Sequence, residues 1–374
     1  MNAPAFAKGR PRIGIVTDSL VPSGVGEHML TLGCALRDSF EPVLAFPDDG
    51  GGPSFLARAQ ALGLHTQALQ AHDPEAAVSG WLREAGLSLV HVHAGIAWEG
   101  HGLGRAAREM ALPVVRTEHL PFVLTDEDQQ RGHAEAIELV DRVITVSEAA
   151  AASYRDAGLS HDKIVAVRNG IDKRPSHRHR DELRAELDIA RDALLLLTVA
   201  RFTAQKGHAV LLDALRLLVE RVDVPYQLLL VGDGPEREAI EAQVDELDLR
   251  DRVRFLGERR DVADLLCAAD LVILPSLFEG LPLVVLEAMS AGVPVVATRI
   301  GGTSEALGED HAWLAEPGDV ASLADCLTDA LEDAAKRKAI AGHLHNRFHD
   351  HFTAARMAAE TVAVYRSLLP LQIA

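Results

Sequence analysis

In ARFTAQKGH (200–208), two cations flank the junction between an apolar run and a helix. Arg201 leaves the end of LLLLTVA (194–200), and Lys206 stands just ahead of a helix expected to begin near Gly207. The helix macrodipole opposes a cation at that end, so helix physics does not ask for Lys206 there. A bound anion removes the conflict, because two cations and the free N–H groups of a helix N-terminus make a phosphate cradle. The competing reading is two exposed surface cations.

Downstream, LVILPSLFEGLPLVVLEAMSAGVPVVAT (271–298) reads as strand, loop, helix and strand. Glu279 falls in the loop and Glu287 in the helix. Leu283, Val284, Val285, Leu286, Ala288 and Met289 surround Glu287, which predicts a helix buried on every side. A carboxylate there needs a dedicated partner. EGLP (279–282) offers a second anion site through the amides of Leu281 and Leu283.

Other candidates carry weaker signals. SGVGEH (23–28) and VGDGPER (231–237) are glycine turns that lack the third glycine of a dinucleotide fingerprint, which argues against a nicotinamide dehydrogenase. Gly24 and Gly26 still permit close backbone approach to a ligand. GGTSE (301–305) reads as a capped helix start or a ligand contact. His119 ends a strand at the edge that would face a cleft. His91 and His93 share one face of a strand; with no carboxylate or Cys near them in sequence, they read as strand-end polar contacts, not metal ligands. Asp126-Glu127-Asp128 imitates a metal-binding DxD, but acids in a first helical turn are what the macrodipole favours.

The elements that must position these residues are continuous apolar strands alternating with helices. In the first half, strands read at 12–17, 42–46, 87–93, 112–119, 141–147 and 163–169, with a helix from about Glu27 to Arg37 and others at 54–62, 74–85, 101–110, 126–139 and 148–157. KRPSHRHRDELR (173–184), polar and basic, reads as an exposed linker. The pattern then restarts, with strands at 194–200, 227–232, 253–257, 271–275, 293–298 and 311–315, and helix over 321–369. Such a pattern means parallel sheets covered on both faces, in two doubly wound α/β domains. Ligands bind such sheets beyond the carboxyl ends of their strands, and a cleft between the two domains is the natural substrate site.

Composition excludes several classes. A net charge of −18 argues against general nucleic-acid binding and against an anionic membrane surface. With 48% hydrophobic but 4% aromatic residues, the cores must be aliphatic. Cys34, Cys267 and Cys326 are scattered and odd in number, which reads as buried free thiols in a reducing compartment. No apolar run approaches membrane-spanning length, and MNAPAFAKGR reads as a loose N-terminus without the apolar centre of a signal peptide. The expected address is the cytoplasm.

ARFTAQKGH, the 271–298 stretch and GGTSE, in that order and spacing, resemble the donor domain of the retaining glycosyltransferases of family 4 (group 1). RIGIVT with its glycine loop, LVHVH, VVRTEH, VITVSEA and VRNGID resemble that family's acceptor domain. The resemblance implies the GT-B fold, two Rossmann-like domains facing each other across a cleft. It places an acceptor-binding domain at 11–172, the linker at 173–184, a donor-binding domain at 185–349, and a helix within 350–374 that packs back on the first domain. It further implies that Arg201 and Lys206 hold the donor diphosphate and that Glu279 contacts the transferred sugar. Backbone amides around Gly280, Leu281 and Leu283 would touch sugar and phosphate, and Glu287 would accept from the ribose hydroxyls. His119 would lie by the reacting bond, Gly24 and Gly26 by the diphosphate, and Gly257 and Glu258 by the base. The co-substrate would be a nucleotide diphosphate sugar, with UDP and GDP sugars both open. No metal or other cofactor is expected, and a soluble hydroxyl acceptor fits the few basic residues on the first domain's helices. The chain departs from the family pattern at Ser23-Gly24-Val25-Gly26, where many members have paired glycines, and at Asp38-Ser39-Phe40-Glu41. The rival readings are a GT-B-type sugar-nucleotide epimerase or hydrolase and, from another class, a two-domain sugar-binding protein.

Overall fold

In both halves of the chain, strands of aliphatic residues are buried on both faces, the condition under which parallel sheets form. The computed structural model describes residues 10–70, 72 and 74–369, so the expected loose N-terminus lies outside the described residues except for Arg10. The chain divides into two units, one running to Gly170 and resuming at Ala354, the other spanning Ile171–Thr353.

The first unit holds β1 (Arg12–Val16), α1 (Ser23–Ala35), β2 (Glu41–Pro47), α2 (Gly52–Ala61), β3 (His65–Leu69), α3 (Pro74–Glu84) and β4 (Leu89–Ala94). It continues with α4 (His101–Glu109), β5 (Val114–Glu118), α5 (Glu127–Glu138), β6 (Arg142–Thr145), α6 (Glu148–Asp156) and β7 (Ile164–Ala166). Every described pairing is parallel, in the order β3-β2-β1-β4-β5-β6-β7. All six residues of β4 are buried. Helix α1 begins at Ser23, four residues before the expected start, behind Pro22, whose φ of −64° already suits a helix. The glycine loop is therefore the first turn of α1. Strand β3 escaped the sequence reading because HTQAL buries only Leu69 and shows no apolar alternation.

The second unit holds α7 (Arg180–Glu186), β8 (Leu194–Val199), α8 (His208–Val219), β9 (Tyr226–Val231), α9 (Arg237–Glu246), β10 (Val253–Gly257), α10 (Val262–Ala268) and β11 (Leu271–Leu274). Then follow α11 (Leu283–Ala291), β12 (Val295–Thr298), α12 (Gly301–Leu307), β13 (Leu314–Ala315), α13 (Val320–Glu332) and α14 (Ala334–His351). Its strand order is β10-β9-β8-β11-β12-β13, again parallel. The core is aliphatic, built on Leu196, Leu211, Leu215, Leu228, Leu230 and Ile273, with Trp313 its largest buried side chain.

Residues 173–184 belong to the second unit; residues 173–182 are mostly exposed, as expected, but the helix start is docked. Leu183 is buried, Arg180 and Arg184 clasp the two oxygens of Asp270 at 2.5 and 3.0 Å, and Asp264 accepts from the amide of His177 at 2.7 Å. Four of the arginines that suggested solvent, Arg174, Arg178, Arg180 and Arg184, each pair with a carboxylate. A last helix, α15 (Ala354–Leu368), belongs to the first unit and lies beside α1. Its Tyr365 is fully buried against Phe40, with ring centroids 5.5 Å apart. Phe40 thus gives the departure at residues 38–41 a packing role. The three cysteines are free, but none is buried: Cys267 is exposed and the other two are half-buried.

Candidate functional site

In each sheet the strand order reverses direction once, between β1 and β4 in the first unit and between β8 and β11 in the second. The helices that follow neighbouring strands at such a reversal lie on opposite faces of the sheet, which leaves a crevice at the carboxyl ends of those strands. In the second unit the loops that leave those strands are the two that carry the sequence candidates.

After β8, Phe202 anchors the loop in the core, its amide bonded to the Asp233 carbonyl at 2.9 Å. Residues Ala204–Lys206 form one 3-10 turn, and Gly207 follows with φ +66°. A Cβ on Gly207 would stand 2.1 Å from the Pro275 carbonyl oxygen, so only glycine lets the two loops meet backbone to backbone. Gln205 clamps them: its carbonyl accepts from the Leu277 amide at 2.7 Å and its side-chain amide donates to the Phe278 carbonyl at 2.9 Å. Lys206 Nζ then reaches Glu279 Oε1 at 2.5 Å, and Ser276 Oγ donates to the same oxygen at 2.7 Å. Glu279 is buried; Lys206 is partly so.

These contacts revise the two-cation reading. Lys206 is not a free cation, since Glu279 takes one of its three donors. Arg201 is exposed, and no hydrogen bond or ion pair involves its guanidinium among the described residues. Sequence reasoning missed Gln205 and Ser276, because neither residue type signals a loop clamp without its partner in view.

Helix α11 begins at Leu283 with Pro282 as its N-cap and no side-chain cap. It is not buried all round. Leu283, Val284 and Glu287, spaced to share one face, are only half-buried, and Arg174 Nη1 lies 3.7 Å from Glu287 Oε1. The partner that Glu287 required is thus supplied by the segment expected to be a linker. The start of α12 closes against the EGLP loop: a Cβ on Gly302 would sit 2.1 Å from the Gly280 carbonyl. Gly257 has φ +65° and its carbonyl accepts from the Gly232 amide at 2.8 Å, while Glu258 beyond it is exposed.

In the first unit, His119 follows β5, its amide bonded to the Ala94 carbonyl at 3.0 Å. Its Nε2 lies 3.0 Å from His93 Nδ1, and its ring stands edge-on to His28 at 4.8 Å between centroids. His28, on α1, meets Asn169 Oδ1 through Nδ1 at 2.9 Å. His91 is held at both nitrogens, by Tyr365 OH and Thr117 Oγ1, each at 2.6 Å. Burial is the first cause of a lowered basicity in all four rings, to about 4 for His28, so they are neutral at pH 7. His93 therefore has nearby partners after all, on elements remote in sequence. Close by in the chain, buried Arg116 bonds Glu118 at 2.6 Å and the carbonyls of Glu99 and Ala97, fixing the loop after β4.

The glycines of α1 differ in role. Gly24 is exposed, and a Cβ there would meet nothing within 4 Å. Gly26 is buried, and its Cβ would strike the Phe55 ring at 2.5 Å, so helix packing accounts for it without a ligand. Asp126 caps α5 through the Gln129 amide and Asp128 pairs with Arg131, so the DxD imitation is a helix start.

Two parallel sheets of seven and six strands, each reversing its strand order once, define the GT-B class of two Rossmann-like domains. The chain is similar in fold to Anabaena HepE in complex with UDP and glucose, at 23% identity and a TM-score of 0.85 over 96% of this chain and 100% of that one. It is likewise similar to sucrose-phosphate synthase from Thermosynechococcus elongatus, at 22% identity and a TM-score of 0.80 over 96% and 99%. Residues 22–174 match the family described as Glycosyltransferase Family 4, and residues 179–343 match Glycosyl transferases group 1. The chain belongs to the group 1, family 4 glycosyltransferases. It is 32% identical over 235 residues to the N-acetyl-alpha-D-glucosaminyl L-malate synthase of Bacillus anthracis, covering 62% of this chain and 61% of that one. It is also 32% identical over 256 residues to the D-inositol 3-phosphate glycosyltransferase of Corynebacterium urealyticum, covering 65% and 60%. The chain spans less than two thirds of the length of these curated relatives.

Proposed function

We propose that this chain transfers a sugar from a nucleotide diphosphate sugar to an acceptor hydroxyl, with retention of anomeric configuration and without a catalytic metal. The observation that carries the reading is the meeting of the loops after β8 and β11 at the strand-order reversal, with Arg201 exposed and Lys206 bonded to Glu279. Arg201 and the two remaining donors of Lys206 would hold the diphosphate and stabilise the charge that develops on it as the sugar leaves. Glu279, oriented by Ser276 and Lys206, keeps a second oxygen for a sugar hydroxyl. Glu287 would accept from the ribose, with Gly257 and Glu258 beside the base. Amides around Gly280, Leu281 and Leu283 would meet sugar and phosphate, His119 would stand by the transferred sugar, and Gly24 would border the diphosphate.

A soluble acceptor and a cytoplasmic address complete the proposal. No helix of the described residues is long and apolar enough to cross a membrane. Thermal-shift titration with UDP, GDP, ADP and TDP and their sugar conjugates, in excess EDTA, tests the donor site. Saturation at a hundred times Kd stabilises by about 2.7 kcal/mol. If no nucleotide moves the melting temperature, the donor site is refuted. Product that forms without an acceptor would favour the epimerase or hydrolase reading instead.

A further inference from the structure

Three imidazoles from three separate elements converge inside the first unit. His28 comes from α1, His93 from β4 and His119 from the turn after β5. One nitrogen from each lies within 4.8 Å of the other two. Around a tetrahedral ion with bonds of about 2.0–2.1 Å, ligand nitrogens stand roughly 3.4 Å apart, so modest ring rotations would close the set. The surroundings fit metal ligation in two further ways. His28 Nδ1 donates to Asn169 Oδ1 at 2.9 Å, which fixes its tautomer and leaves Nε2 with a lone pair, the outer-shell arrangement typical of metal-bound histidine. His93 is fully buried, yet its Nε2 has no hydrogen-bond partner. Such an orphan calls for an explanation, and a bound ion supplies one. His91, with both nitrogens occupied, packs tilted against His93 at 4.1 Å between centroids and supports the ring without competing for the ion.

We propose that His28, His93 and His119 form a binding site for a borderline divalent cation, Zn2+ by preference, and that its occupancy inhibits the enzyme. Three neutral imidazoles suit Zn2+ over the oxygen-seeking Mg2+ and Ca2+. Binding breaks the His93–His119 hydrogen bond. His93 ligates through its orphaned Nε2 and keeps its proton on Nδ1, and His28 and His119 ligate through Nε2 with their protons on Nδ1, so no proton is released. The inhibitory half rests on the reading of His119 as a neighbour of the transferred sugar: a metal takes the lone pair that the sugar hydroxyl would meet.

Co2+ serves as the spectroscopic probe, because its visible bands intensify when coordination falls below six. The pair of half-buried His345 and exposed His349, with Nε2 atoms 3.2 Å apart, is a competing two-ligand site. The titration therefore uses a protein carrying His345→Gln and His349→Gln. One equivalent of Co2+ with intense visible bands, displaced by Zn2+, is expected. His28→Gln should abolish the bands. Asn169→Ala, which keeps every ligand, should weaken binding about 10–100-fold. Bands that persist in His28→Gln, or affinity unchanged in folded Asn169→Ala, overturn the site. Zn2+ should also slow sugar transfer, with EDTA restoring it and higher donor concentration opposing it. A site that forms with no effect on transfer overturns the inhibition. Transfer in a protein that never binds Co2+ overturns the site and leaves the proposed function standing.

Discussion

Replacing Lys206 by methionine keeps the stem of the side chain and removes the charge that faces Glu279. Breaking a buried ion pair from one side costs about 3–5 kcal/mol, because the surviving charge stays desolvated. Here the Lys206 side chain is 21% exposed and that of Glu279 6%, so solvent screens part of the pair. A cost of about 2–3 kcal/mol follows. For a unit of this size each kcal/mol moves the midpoint by about 2–4 °C, so the transition of the second unit should fall by roughly 4–12 °C. Calorimetry reads this directly, and the ligand-free protein is used so that nucleotide binding does not enter. Glu279→Gln removes the uncompensated charge while keeping an acceptor for Ser276 Oγ. The double variant should therefore regain most of the stability that Lys206→Met loses, with a coupling of about 1–3 kcal/mol. A Lys206→Met midpoint within about 1 °C of the parent refutes the reasoning, as does a double variant no more stable than the sum of its parts.

Gly207→Ala places a Cβ against the Pro275 carbonyl at φ +66° and should destabilise the second unit by more than about 2 kcal/mol, measured by urea unfolding. Arg184→Met strips partners from Asp270 and from the carbonyls of Ala268 and Ala193, at a cost of about 2–4 kcal/mol. The same variant should open the 173–184 segment to trypsin, and unchanged digestion would count against its docking. His28 has its basicity pushed down to about 4 by burial. Its folded value lies below the unfolded 6.5, so its contribution is complete above about pH 6.5 and is lost as pH falls toward 4, by up to about 3 kcal/mol. His28→Gln should flatten the pH dependence of first-unit stability in that window.

The candidate residues of each unit depend on contacts that local patterns do not record. The Lys206–Glu279 bond spans 73 positions, and the His28–Asn169 bond spans 141. Periodicity along the chain reports which face of an element is buried, but two loops become neighbours only when their strands pair. Glu287 shows the point. Its apolar neighbours in sequence suggested complete burial, whereas its side chain is 20% exposed, and its partner Arg174 comes from the polar segment more than a hundred positions earlier.

The sequence by itself determined the alternation of strands and helices, the aliphatic cores and the two glycine-bearing loops, because burial on both faces of a parallel strand demands an unbroken apolar run. Even there β3 stayed hidden, since an edge strand with one buried residue leaves no such run. Motif order was enough to point to the family. Tertiary structure alone decided that Lys206 is paired and Arg201 exposed, that Arg180, Leu183 and Arg184 dock the end of the polar segment, and that four histidines scattered from residue 28 to 119 share one interior. Strand order sets those neighbours, and strand order is a property of the folded sheet.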